Sequence, residues 1–236
     1  MMEKNSIGWQ KQPDKLNIQG TIEKAIETIT KEQVDLMASG RTDRGVHALG
    51  QVANFKTNSD LPIDKMAIAI NANLKKSIRI LSAEEVNENF HSRLTCKKKT
   101  YRYIINNSKY GTAIYRNLET HIPMKLDVEK MKEAVKYFEG EHDFKAFKAS
   151  GTSSKSSIRT IYKAEVKQMP DDRIYVELTG NGFLYNMVRI ITGTLIEVGL
   201  GKIEPKEIEN IIKSKKRENA GKTLPPEGLY LVKVEY

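Results

Sequence analysis

The sequence predicts an α+β protein in which helices pack on a mostly antiparallel sheet. Three observations predict it. Helix-type and strand-type hydrophobic periods are interspersed along the 236 residues rather than grouped in blocks. The strand-type runs are separated by hairpin turns such as "PDD" at residues 170–172. No solenoid-type repeat is present. Composition agrees: 39% hydrophobic and 29% charged residues give enough apolar surface for a good core, and too much for wholesale disorder.

The elements follow in order. "GTIEKAIETITK" (residues 20–31) places Ile22, Ala25, Ile26 and Ile29 at helical spacing, which predicts an amphipathic helix. "VANF" (residues 52–55) reads as extended. "PIDKMAIAINANL" opens with proline and Asp64, both helix-start signals. "TYRYII" (residues 100–105) alternates and is rich in aromatic and β-branched types, so it predicts a strand. In "DVEKMKEAVKYFEG" Asp127 is the expected cap, Met131, Val135 and Phe138 the apolar stripe, and Gly140 the stop. "IRTIYKAEVKQM" and "RIYVELTG" predict a strand pair, and "LYLVKVEY" a closing strand. "SGTSSKSS" (residues 150–157) predicts a mobile loop. The lysine run Lys97 to Lys99 predicts a hinge between two halves, residues 1–98 and 99–236.

The helix predicted for "FLYNMVRIITGTLIEVG" (residues 183–199) is apolar nearly all round, with Phe183, Met187, Ile191, Thr194 and Val198 on one face and Tyr185 and Ile196 flanking Arg189 on the other. Such helices are buried. A buried Arg189 needs a carboxylate or phosphate partner; the competing reading is that it snorkels to the surface.

Charge and motif content narrow the chemistry. Lys plus Arg number 39 against 30 Asp plus Glu, a net charge of +9 that suits a polyphosphate partner without requiring one. A single cysteine, Cys96, excludes an internal disulfide framework and a cysteine zinc cluster, and fits a reducing compartment. The N-terminus has no apolar signal core and no run reaches the ~18 apolar residues of a membrane span, so a cytoplasmic protein without membrane contact is expected. No phosphate loop, dinucleotide fingerprint, HExxH or paired metal-ligand spacing occurs, and His47, His91, His121 and His142 are scattered. The expectation is a site with no metal and no cofactor.

The stretch "GRTDRGVHALGQVANF" (residues 40–55) sets Asp43 between Arg41 and Arg44, with glycines on both sides. It reads as a salt-bridged turn, or as a carboxylate kept ionised and oriented by guanidinium groups to act as nucleophile or base. Arginines at this density also suit phosphate.

Together "GWQKQ", "QGTIEKAI", "GRTDRGVHALGQVANF", "FHSRLTCKKKTYRYII", "GEHDFKAF", "IRTIY", "GNGFLYNMVRIITGTLIEVGLG" and "PPEGLYLVKVEY" resemble the TruA family of tRNA pseudouridine synthases, in the family's order from Gly8 to Tyr236. The resemblance implies a pseudouridine synthase fold, with two α/β domains sharing a mostly antiparallel mixed sheet around a central cleft. It implies an isomerase converting uridine to pseudouridine at positions 38, 39 and 40 of the tRNA anticodon stem-loop, without metal or organic cofactor, as a cytoplasmic homodimer. By the same resemblance Asp43 is the nucleophile, Arg189 its ionic partner, Tyr101 the aromatic that packs on the target base, Arg41 the arginine that helps flip and hold the RNA, and Leu229 an apolar wall. Arg44 receives no role. Lys75, Lys76, Arg93, Lys97 to Lys99 and Lys213 to Arg217 are candidate phosphate contacts.

The sequence departs from the family pattern before Gly8, where only "MMEKNSI" stands in place of an opening strand and "YDGT"-like turn, so the first strand is expected to be missing. That departure favours one alternative, a tRNA-binding paralogue with little or no catalysis. The retained Asp43, Tyr101 and Arg189 oppose it. An acid-dependent RNA hydrolase is a weaker alternative, since no second carboxylate, histidine pair or metal cluster accompanies Asp43.

Overall fold

The computed structural model describes residues 8–11, 17–151, 154 and 156–236. The expected missing strand before Gly8, and residues 152, 153 and 155 of the serine-rich loop, lie outside the described residues. The chain forms two compact units, one ending at Cys96 but including Tyr236, the other Lys97–Glu235.

The first unit is built on two helices, α1 (Ile18–Thr30) and α2 (Ile63–Ala72), with three two-residue strands, β1 (Met37–Ala38), β2 (His47–Ala48) and β3 (Ala53–Asn54). The Asn17 side chain starts α1 by accepting from Gly20 N at 2.8 Å, two residues earlier than the apolar period alone predicts. Ile18, Ile22, Ala25 and Ile26 form its buried face and meet Met66 and Ile70, one turn apart on α2, together with Trp9, Leu36 and Ile78. Each buried isoleucine contributes about 1.5–3 kcal/mol. β1 and β3 pair antiparallel, Met37 opposite Asn54 and Ala38 opposite Ala53. Ser92, fully buried, fastens the later "FHSRLT" segment to this hairpin: its Oγ donates to Met37 O at 2.6 Å and its N donates to Asn54 Oδ1 at 2.9 Å. Tyr236 packs on Phe90 with ring centroids 4.7 Å apart and donates its hydroxyl to Ser92 O.

The second unit is a sheet with helices on one face. Its strands are β4 (Lys98–Asn106), β5 (Thr120–His121), β6 (Gly140–Asp143), β7 (Ile158–Gln168), β8 (Arg173–Gly180) and β9 (Leu229–Glu235). The antiparallel order is β9-β4-β8-β7-β6, and β5 adds to β4 in parallel. Helices α3 (Val128–Lys136), α4 (Met187–Gly199) and α5 (Glu207–Ser214) complete it. Strand alternation sorts the residues: Tyr103, Ile105, Ile174, Val176, Leu178, Ala164 and Val166 turn inward and are buried. The opposite face carries an ion-pair ladder. Arg102 Nη2 lies 2.7 Å from Glu177, Lys167 bridges Glu177 and Glu165, and Lys163 pairs with Glu165 at 2.8 Å, while Arg102 also covers the Tyr175 ring.

The predicted strand at residues 100–105 extends to Lys98–Asn106, so Lys98 and Lys99 are strand residues, Lys98 opposite Glu235. Asp127 caps α3 as expected, its Oδ1 accepting from Lys130 N. The β7–β8 turn holds Asp172 at φ 58°, a left-handed value that Asp tolerates. Helix α4 starts at Met187, not at residue 183, because Asn186 takes φ 60° and interrupts the helical course. Strand β6 and helix α5 were not expected from the sequence pattern.

Candidate active site

The loop carrying Asp43 is closed at its base by side chains. Ser39 Oγ donates to Gln51 Oε1 at 2.6 Å, Gln51 Nε2 donates to Gly40 O at 2.8 Å, and Ser39 N donates to Val52 O at 2.8 Å. Ser39 is fully buried, so this clamp is screened from competing water. At the loop's other end Gly8 makes an antiparallel bridge with Asp43, and Trp9 N donates to Thr42 O. Gly8 has φ +109°, and a Cβ there would lie 2.8 Å from Thr42 O, so only glycine allows the two backbones to meet. Val46 N donates to Asp43 O over a turn in which Gly45 has φ +84°. Thr42 and Val46 are buried, Asp43 is half-buried, and Arg41 and Arg44 are exposed. The loop therefore holds a half-buried carboxylate on a fixed backbone between two exposed guanidinium groups, a chemistry suited to an anionic ligand.

The other three expected site residues lie in the second unit. Tyr101, half-buried on β4, packs edge-on against Phe183 with centroids 5.2 Å apart. The pairing of β4 with β9 shifts register between Thr100 and Tyr101: Thr100 faces Lys233 and Tyr101 faces Leu231. Such a bulge re-aims side chains locally. Leu229, the first residue of β9, is buried opposite Tyr103.

Arg189 sits in the first turn of α4, where only it and Glu197 are not fully buried. It is half-buried, between the two readings of the sequence, and its partners are neutral. Nε donates to Leu224 O at 2.6 Å and Nη1 donates to Asn186 Oδ1 at 2.7 Å. Among the described residues of its own unit no carboxylate pairs with it. Leu224 N donates back to Arg189 O, and the Thr194 hydroxyl accepts from Gly221 N at 2.9 Å, so residues 221–224 lie flat on the helix. Gly193 permits this approach: a Cβ on it would lie 2.0 Å from Lys222 O.

Tyr103, which sequence reasoning did not single out, fixes the next part of that segment. Its hydroxyl donates to Pro225 O at 2.7 Å and shares a 2.5 Å hydrogen bond with Thr120 Oγ1. Burial pushes its phenol well above the ordinary tyrosine range. A Cβ on Gly228 would lie 2.6 Å from the Tyr103 ring, so this glycine too is set by packing. The available signal was Tyr103's place two residues beyond Tyr101 on one strand face. Arg217, expected among the phosphate contacts, instead points inward: it donates to the carbonyls of Ala220 and Gly221 and to Thr223 Oγ1. Lys213 and Lys215 pair with Glu209 and Asp143.

Arg41 and Asp43 thus share one loop of the first unit, and Tyr101, Arg189 and Leu229 are organised around residues 221–231 of the second. Among the described residues no helix is long and apolar enough to cross a membrane.

A family model described as tRNA pseudouridine synthase matches residues 4–94 and 134–236. The chain is 52% identical over 232 residues to tRNA pseudouridine synthase A of Acetivibrio thermocellus, covering 98% of this chain and 95% of that protein. It is 50% identical over 232 residues to the protein of the same name from Caldicellulosiruptor saccharolyticus, with the same coverage. A solved structure titled "Crystal Structure of a Cbf5-Nop10-Gar1 Complex" is similar over 85% of this chain and 52% of that chain, at 15% identity and a TM-score of 0.33, too low to bear on the fold or the site. On the family match and the near-full-length identity, the chain belongs to the tRNA pseudouridine synthase family.

Proposed function

We propose that this chain isomerises uridine to pseudouridine at positions 38, 39 and 40 of the tRNA anticodon stem-loop, acting in the cytoplasm as a homodimer. The observation that carries the reading is relatedness over 98% of the chain to proteins named tRNA pseudouridine synthase A. A loop that fixes the backbone of Asp43 and exposes Arg41 supports it.

The reaction breaks the N1–C1′ bond, turns the uracil, joins C1′ to C5, and moves the C5 proton off the ring while N1 gains one. No electrons are exchanged with another reagent. Asp43 acts as the nucleophile at C1′, or assists proton loss from the ribose to give a glycal; both routes need it ionised. Arg189 holds it ionised by opposite charge, and Arg41 grips the RNA backbone. Tyr101 stacks on the extruded base and Leu229 closes the apolar side, which offsets the few kcal/mol of unstacking.

The test is to map pseudouridine in tRNA transcripts incubated with the purified chain and with its Asp43→Asn variant. Product at anticodon-arm uridines with wild type, no product with Asp43→Asn, and equal tRNA binding by both is the expected result. Absence of product with wild type would overturn the reading in favour of a binding-only protein. Equal loss of binding in the variant would make Asp43 structural.

A further inference from the structure

Asn186 occupies the N-cap position of α4, yet it does not cap the helix. Its backbone has φ 60° and ψ 9°, left-handed where an N-cap is ordinarily extended, and its side chain accepts nothing from the first-turn N–H groups. Its Oδ1 is turned instead to Arg189 Nη1, at 2.7 Å. A helix start therefore gives up a cap, and a non-glycine residue takes a disfavoured conformation, to place one amide oxygen beside one guanidinium.

We infer that Asn186 is a positioning residue for the reaction, holding Arg189 so that its remaining donors face a carboxylate. This inference rests on the ionic pairing of Arg189 with Asp43 proposed above. A guanidinium has five N–H donors. Here Nε is committed to Leu224 O and one Nη1 hydrogen to Asn186, both neutral acceptors, which leaves Nη2 and the second Nη1 hydrogen unengaged among the described residues. Two fixed points on a planar group set the direction of the rest. Because both acceptors are uncharged, the full positive charge stays available to an anion. A carboxylate in place of the Asn186 amide would neutralise it locally and compete for it.

That difference makes the inference testable by changing a single atom type. Asp equals Asn as an N-cap residue, tolerates the left-handed region, and suits the positive end of a helix dipole. If Asn186 served only the helix start, Asn186→Asp would be silent or stabilising. The positioning role predicts a folded variant with unchanged melting temperature and tRNA affinity, and turnover reduced roughly 100-fold or more, comparable to removal of a transition-state donor. Asn186→Gly keeps the backbone but removes the acceptor, and is expected to lose about tenfold in kcat at constant KM, the worth of one charge-assisted hydrogen bond. Arg189→Met is assayed in parallel. Wild-type turnover by Asn186→Asp, with Arg189→Met inactive, would overturn the inference and leave the ion pair standing. Wild-type turnover by Arg189→Met would overturn the pairing itself and the inference with it.

Discussion

Replacing Gly193 by alanine tests whether α4 and the segment after α5 work as one piece. Alanine at a helix interior normally gains up to about 1 kcal/mol over glycine. Here its Cβ would stand 2.0 Å from Lys222 O, and restoring an ordinary contact of 3.4 Å requires a backbone shift of about 1.4 Å. A shift of that size breaks the Thr194–Gly221 bond, and it pulls Leu224 O from Arg189 Nε and Leu224 N from Arg189 O. At roughly 0.5–1.5 kcal/mol per bond, more for the bond to the guanidinium, the loss is about 3–5 kcal/mol. Subtracting the propensity gain leaves a net destabilisation of about 2–4 kcal/mol. Urea denaturation followed by circular dichroism measures it, and single-turnover pseudouridine formation measures the effect on Arg189. The expected result is a lower midpoint together with turnover reduced more than tRNA binding. A variant as stable and as active as wild type would show that the segment is not locked to the helix through Gly193.

Two further outcomes follow from the same physics. Gly8→Ala forces a Cβ against Thr42 O at a φ that L residues rarely adopt, and should destabilise the first unit by roughly 1–3 kcal/mol; the single tryptophan, Trp9, is buried in that unit and reports the transition by fluorescence, so an unchanged midpoint would refute the strain. Stability should fall with acid. The Ser157 hydroxyl and Lys215 hold the Asp143 carboxyl below its usual range, and Lys163 and Lys167 hold Glu165 below its own. Burial pushes Glu177 up, but hydrogen bonds from Lys167 and Arg102 bring it below as well. Groups depressed on folding stabilise above the unfolded pKa and lose that contribution as pH falls through the folded one, so melting temperature should decline below about pH 4; a melting temperature constant down to pH 3 would contradict the assignment.

The long periodic elements were legible in the sequence because burial and period coincide in them. Strand β8 alternates throughout, β4, β7 and β9 are rich in β-branched and aromatic types, and Asp127 announces α3. Strand β6 was not legible: "GEHD" has no apolar alternation and is held as an edge by pairing with β7. Helix α5 was within reach, since Ile208, Ile211 and Ile212 follow Pro205 at helical spacing and are buried. The start of α4 misleads because residues 183–186 continue the apolar run while Asn186 leaves the helical region. At the site, glycine and arginine density marked the Asp43 loop, but the Ser39–Gln51 clamp depends on loop closure across twelve residues, which no local pattern encodes. Arg189 stood out as a cation in an apolar helix; its neutral holders, Asn186 and the Leu224 carbonyl, could be seen only once the chain had folded.

The ion-pair ladder on the open face of the second unit also governs how a polyanion approaches. Arg102, Lys163 and Lys167 are set there against Glu165 and Glu177, three cations to two carboxylates, so most of the excess of nine positive charges lies elsewhere. Matched charges a few ångströms apart cancel beyond a Debye length of about 10 Å, whereas unmatched ones keep pulling at that range. An RNA diffusing toward the protein is thus hardly attracted by this face and is turned toward the surfaces carrying unbalanced lysine and arginine. The ladder gives the sheet a wet, soluble exterior without making it a decoy for the substrate.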